Sequence, residues 1–143
     1  MIAPVDFDLR ARRDIRIASG LAQAFGVDLL LLHVLSAGAT RTAAQAEAQL
    51  RQLAGEIDER VRTEVKVAVG DATEEIGSVA RSSNAGVIVM GLRGDRRARG
   101  SLPGSVAFGV LSRAALARAR ASGRSGLDRR QRTPREDGAL CGV

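Results

Sequence analysis

Aromatic side chains are almost missing from this 143-residue chain, which has three Phe and neither Tyr nor Trp. Proteins that grip single-stranded nucleic acid by base stacking need aromatic platforms, so that class is disfavoured. The core must be built from Leu, Val, Ile and Ala instead. The single cysteine, Cys141, cannot close an internal disulfide, and with one His in the chain no His/Cys set for a metal exists. Apolar runs reach only four residues, as at Leu29–Leu32, far short of the roughly 20 residues a membrane helix needs. The chain opens on a strand-like segment, without the charged and then apolar regions of a secretory signal. A reduced, cytoplasmic setting is therefore expected.

Positive charge is abundant but unevenly placed. The formal net charge is +6; residues 1–113 carry 15 basic and 13 acidic side chains, whereas residues 114–143 carry seven Arg and three acids. The basic character thus belongs largely to the last thirty residues. Such a tail could touch nucleic acid or an anionic surface without specificity, but its composition reads first as a solvated, disordered segment.

Hydrophobic periodicity alternates between two kinds of element. Ile2–Val5 is a short apolar opening that stops at Asp6. Ile15, Ala18, Leu21, Ala22 and Phe25 then recur at helical spacing, and Gly26 suits a left-handed helix end. Leu29–Leu35 is apolar apart from His33, as expected for a strand covered on both faces. A second helix is predicted over Ala43–Val61, with Leu50, Leu53, Ala54 and Ile57 inward. Val65, Val67 and Val69 mark a third strand nearer an edge. Asp71 or Thr73 can cap a third helix whose Ile76, Val79 and Ala80 face inward. Val87–Met90 reads as a buried fourth strand, and Gly104 opens a last helix with Val106, Val110 and Leu111 inside. This β-α-β-α-β-α-β-loop-α order predicts an α/β fold: an open parallel sheet with right-handed crossovers and helices on both faces. Beyond Ala114 the chain turns into an Ala/Leu/Arg segment, a helix extension, and then a basic low-complexity tail. No fifth strand can be placed there. The domain is accordingly read as 1–113 and the tail as 114–143.

The chemistry concentrates between Gly91 and Ser105. Gly91 and Gly94 permit close backbone approach to a ligand after a strand. Gly104–Ser105 opens a helix, where free N–H groups and the positive dipole end favour anions. The Ser105 hydroxyl can cap that helix or reach a phosphate oxygen, and Arg93, Arg96, Arg97 and Arg99 could add charge-assisted contacts. A Walker A loop is excluded because the only lysine, Lys66, lies on a strand. The Rossmann glycine fingerprint is excluded because Asp6 occupies the turn after the first strand. Asp6, at the end of that strand, stands where a switch-point ligand would be met, so ligand contact is favoured over simple helix capping. His33 is read as a structural histidine with a satisfied hydrogen bond.

Four stretches as written here resemble the universal stress protein family in its ATP-binding branch. They are Ile2-Ala3-Pro4-Val5-Asp6-Phe7, Leu31-Leu32-His33-Val34, Val69-Gly70-Asp71 with Glu75-Ile76, and Val87–Gly91 followed by Gly94 and Gly104-Ser105-Val106. The resemblance covers residues 1 to about 113 and implies an adenine-nucleotide α-hydrolase-like sheet in order 3-2-1-4, with a fifth strand lost here. It implies ATP in the crevice between strands one and four, with Mg²⁺ as a possible companion. By position Asp6 would meet ribose and adenine; Val5, Val34 and Met90 would line the adenine. Gly91, Gly94, Gly104, Ser105 and Val106 would hold ribose and phosphates, beside Arg93. The family's homodimer uses the final strand, so dimerisation is not expected to follow automatically. A reading-frame shift near Arg113 would account for the change in composition. The expected function is a nucleotide-binding regulatory role in stress response, with no membrane and no nucleic-acid partner. A slow ATPase or nucleotidyl-transfer enzyme of related fold is one alternative, and a non-binding module with a nucleic-acid-contacting tail is another.

Overall fold

Parallel strands leave no room for tight turns between them, and each crossover here is a helix. The computed structural model describes residues 1–91 and 104–113. Along the chain come β1 (Ile2–Pro4), α1 (Ala11–Phe25), β2 (Leu29–Leu35), α2 (Ala43–Ala54), β3 (Thr63–Val69) and α3 (Ala72–Ser82). A last helix, α4, covers 105–113. The three strands are parallel in the order β1-β2-β3. On the other edge of β1, Ile2 forms a parallel bridge to Ile88. The Ile2 N–H donates to the Val87 carbonyl at 3.0 Å, and the Val89 N–H donates to the Ile2 carbonyl at 2.8 Å.

The alternation of side chains along this sheet divides the core in two. Ala3, Val5, Leu29 and Leu31 point to the face covered by α1 and α2. Ile2, Leu32 and Ile76 share the opposite face with Val79 and Val110, the layer built by α3 and α4. Leu31 and Leu32 are both fully buried, one on each face. That double coverage explains the continuous apolar run of β2.

Helix ends follow local chemistry. Gly26 takes the predicted left-handed cap of α1 at φ 62°. Thr42 and Gln45 form a reciprocal capping box at the start of α2. Asp71, one of the two candidate caps, accepts from the Glu74 N–H at 3.0 Å and starts α3.

Four expectations need correction. Helix α2 ends at Ala54 and does not reach Val61. Gly55 stops it, and Asp58 folds a separate turn by accepting from the Arg60 N–H at 2.9 Å and from its guanidinium. Leu21 and Phe25 were expected inside α1 but are exposed; the buried stripe is Ala11, Ile15, Ala18 and Ala22. Alanines on that stripe let the helix lie close to the sheet, which turns the larger neighbours outward. In α4, Ala107 and Val110 are buried and Leu111 is exposed. Finally, Val87–Met90 is not a fully buried strand. It holds one bridge to β1, no other described residue pairs with its far edge, and Val87 is 46% exposed. The proposed fifth strand and the 114–143 tail lie outside the described residues.

Helix α4 is seated on α3 by a glycine contact. A Cβ built on Gly109 would stand 2.7 Å from Thr73 Cγ2 and 2.9 Å from its Oγ1. Arg113 closes the same seam with a 3.0 Å ion pair to Glu74. Gly109→Ala is therefore expected to destabilise the fold by about 1–3 kcal/mol through overpacking. Adding Thr73→Ala, which removes both clashing atoms, should recover most of that loss. Thermal unfolding of the single and double variants measures both.

Candidate functional site

In an open parallel sheet, ligands are met beyond the carboxyl ends of the strands, where neighbouring crossovers leave on opposite faces. Here that point lies beside β1, because α1 and α2 cover one face while α3 and α4 cover the other. The turn after β1, the end of β2 and the start of α4 all belong to this end of the molecule.

The turn after β1 is Asp6-Phe7-Asp8. Asp6 Oδ1 accepts from the Asp8 N–H at 3.2 Å, and Asp8 Oδ1 accepts from the Arg10 N–H at 2.8 Å. Asp6 is thus not the cap of α1, whose N-cap position is Arg10 without a side-chain partner. Although Asp6 is exposed, its carboxyl pKa is raised above its ordinary value. Desolvation is the leading cause; the Asp8 N–H opposes it, and the Asp8 charge adds to it.

Phe7 holds a left-handed backbone, φ 61°, which is uncommon outside glycine. Such a conformation costs on the order of 1–2 kcal/mol for an L-residue. Two ring contacts offset it. The His33 ring lies with its centroid 4.3 Å from that of Phe7, tilted by 40°. The exposed Arg41 guanidinium stands 4.7 Å over the Phe7 ring. Aromatic pairs contribute about 0.5–1.5 kcal/mol and exposed cation–π contacts about 0.5–1 kcal/mol, enough together to balance the strain.

His33 is buried on β2, and its Nδ1 lies 2.6 Å from the Val5 carbonyl oxygen. A carbonyl only accepts, so Nδ1 carries the proton and donates. This is the satisfied structural histidine expected from the sequence. The Val5 N–H is also engaged, donating to the Leu32 carbonyl at 2.8 Å. Both backbone polar groups of Val5 therefore have protein partners, and its side chain belongs to the α1/α2 core.

Val34, Met90 and Val106 come together differently. All three are half-buried against the α3/α4 cluster, so the ends of β2 and of the 87–90 segment and the first turn of α4 pack on one face of the sheet. Val5, grouped with them by sequence, lies on the opposite face. The first α4 hydrogen bond runs from the Phe108 N–H to the Gly104 carbonyl at 2.9 Å. Gly104 is therefore the cap position and Ser105 the first helical residue, so Ser105 does not cap the helix. Helix geometry leaves the N–H groups of residues 105–107 without an intrahelical acceptor, and Ser105 is exposed beside them. Gly91 is likewise exposed. Arg93, Gly94, Arg96, Arg97 and Arg99 lie outside the described residues. So does Pro103.

Sequence reasoning missed the Phe7–His33–Arg41 stack. The available signal was the position of one of only three Phe residues directly after the strand end, in a chain with a single His.

Comparison with known proteins places this geometry in context. The model of the universal stress protein family matches residues 1–116. No curated protein matches the chain. Among solved structures, a universal stress protein from Archaeoglobus fulgidus is 28% identical with a TM-score of 0.65, over 78% of this chain and 89% of that one. The universal stress protein UspA from Lactobacillus plantarum has the same TM-score and coverages at 22% identity. A universal stress protein in complex with cAMP is similar at 20% identity and a TM-score of 0.61, over 79% of this chain and 90% of that one.

The Asp6 carboxyl makes a stability prediction. Its folded pKa is raised above the ordinary 3.8, so the folded state binds the proton more tightly than the unfolded chain. The favourable contribution is present in acid and is lost as pH rises from near 3.8 through the folded value. Above that value the ionised carboxylate is a constant burden. Asp6→Asn keeps the acceptor for the Asp8 N–H and removes the charge. It is expected to raise the melting temperature at pH 7, with the gain vanishing in strong acid. A melting curve series across pH checks the sign.

Proposed function

The chain belongs to the universal stress protein family, and from that premise we propose that it binds an adenine nucleotide, ATP foremost, as a regulatory protein of the stress response. The observation that carries this reading is that Val34, Met90 and Val106 pack half-buried against one cluster, at the strand ends and the first turn of α4. A flat apolar base and an anionic phosphate chain need those two surfaces side by side. A protein of the same fold held in complex with cAMP supports the class of ligand.

The roles divide along the molecule. Val34 and Met90 would take the adenine, with Val5 contributing by fixing the strand end. Asp6 would accept from ribose or base. Gly104, Ser105 and Val106 would donate backbone and hydroxyl hydrogens to phosphate oxygens, with Gly91 and Gly94 allowing the ribose close. Arg93 would add charge at the phosphates. Among the described residues no group of three or more His, Cys, Asp or Glu side chains could hold a metal ion. A Mg²⁺ ion would then ride with the phosphates, whose oxygens suit it. Phosphoryl transfer would call for a positioned base and a carboxylate set around the metal; the contacts proposed here are those of binding.

Mass spectrometry of the purified protein should identify a co-purified adenine nucleotide. Titration calorimetry should then give saturable ATP binding that Gly104→Val weakens at least tenfold, because a branched side chain at the cap would stand among the phosphate-facing N–H groups. Unchanged affinity in that variant would show that the phosphates bind elsewhere.

A further inference from the structure

The turn that carries Asp6 is held from the side by β2, and this support has a consequence for recognition. His33 does two things at once: its Nδ1–H donates to the Val5 carbonyl at 2.6 Å, and its ring lies against Phe7. Arg41, from the connection after β2, stands over the same Phe7 ring. Phe7 is one of two non-glycine residues with positive φ among the described residues, the other being Asn84 at the end of α3. Without an external hold, a Phe would leave the left-handed region. Its departure would rotate the peptide that links it to Asp6.

We propose that His33 is a positioning residue for the nucleotide site, holding Val5 and Phe7 so that the left-handed turn presents the Asp6 carboxylate to the nucleoside half of the ligand. Arg41 completes the hold from the solvent side. This rests on the nucleotide reading above for its ligand, but the turn itself can be observed without one. His33 does not touch the ligand; it acts through Asp6. The phosphate half, on α4, belongs to the other face of the sheet and does not depend on His33.

The test uses the full chain with His33→Leu, which removes the donor and the ring, and His33→Asn, whose side-chain amide can replace the Nδ1–H. NMR of the ligand-free protein reads the Phe7 backbone from its chemical shifts. Calorimetry reads affinity for ATP and, separately, for inorganic triphosphate. His33→Leu is expected to move Phe7 out of the left-handed region. It should weaken ATP about tenfold, the worth of one well-placed polar contact, while leaving triphosphate affinity unchanged. His33→Asn should restore ATP affinity to within about threefold of the parent. A merely structural histidine would lower ATP and triphosphate affinity in parallel and show no such split. Should His33→Leu fail to fold, Phe7→Val, whose branched side chain resists positive φ, tests the same turn. Retention of the left-handed Phe7 in His33→Leu, or a parallel loss of both ligands, overturns the proposal. Failure of the parent to bind ATP overturns the nucleotide reading instead, and the Phe7 shifts still decide whether His33 holds the turn.

Discussion

A three-residue strand in the middle of a parallel sheet has few hydrogen bonds to give, and every one of them is spent on holding neighbours apart in sequence. Ile2 bonds the 87–90 segment through both its N–H and its carbonyl. On the other edge, the Leu30 N–H donates to the Met1 carbonyl at 2.9 Å, and the Val5 N–H donates to Leu32. Ile2 is 1% exposed, so these bonds form away from water, where an unmade partner is costly. The connections they bring together span more than eighty residues, and the free end of the sheet beyond β1 exists only because this strand is paired on both edges. The turn at Asp6 begins where that pairing stops.

Packing then proceeds with little aromatic help, Phe7 alone among the Phe residues lying against a core cluster. The two cores are assembled from Leu, Ile, Val and Ala, and small residues set the spacing between layers. Ala18 and Ala22 let α1 approach the sheet, and Gly109 lets α4 approach Thr73. Gly70 serves in a comparable way at the end of β3. Its φ is 150°, and a Cβ there would lie 3.1 Å from the Glu75 side chain. That turn redirects the chain from β3 into α3, which crosses to the opposite face and so creates the change of side next to β1. The one buried polar side chain among the described residues, His33, is admitted because the Val5 carbonyl satisfies it.

Much of this was legible in the sequence, for reasons that differ by element. The limits of β2 were readable because an apolar run bounded by Asp28 and Ser36 has one interpretation in an alternating α/β string. The cap at Gly26 followed from the loss of periodicity after Phe25. Helix α2 was overextended because Ile57 and Val61 fall near helical register with Leu50 and Leu53. The stop at Gly55 and the Asp58–Arg60 turn outweigh that register locally. Leu21 and Phe25 fall at helical spacing with Ile15 and Ala18, yet the buried stripe of α1 runs through Ala11, Ile15, Ala18 and Ala22, and in α4 Ala107 and Val110 are buried in place of Leu111. At the proposed site, Asp6 and the start of α4 are singled out by a strand end and a glycine, whereas Val34 and Met90 enter only through the family resemblance. The left-handed Phe7 and its partners were not legible, because no propensity predicts a strained aromatic turn that depends on residues 26 and 34 positions away.

The site is divided between two layers that are anchored separately. The turn that carries Asp6 is attached through Val5 and His33 to the α1/α2 face, whereas Val34 and Met90, proposed for the adenine, lie with α4 on the opposite face. The phosphate side rides on α4, which is tied to α3 by the Gly109–Thr73 contact and the Arg113–Glu74 pair. Among the described residues, the segment 87–90 is bonded on one edge only. A ligand touching both sides would therefore add a link between them to the packing of Ile2, Leu32 and Val110. Occupancy at a hundred times the dissociation constant would add about 2.7 kcal/mol to stability, a large share of what a domain of this size possesses. On this reading the ionised Asp6, a burden in the free protein, becomes an asset once ribose or base hydrogens reach it. On the same proposal, the raised pKa of Asp6 and the left-handed Phe7 would be the cost of a turn arranged for its occupied state.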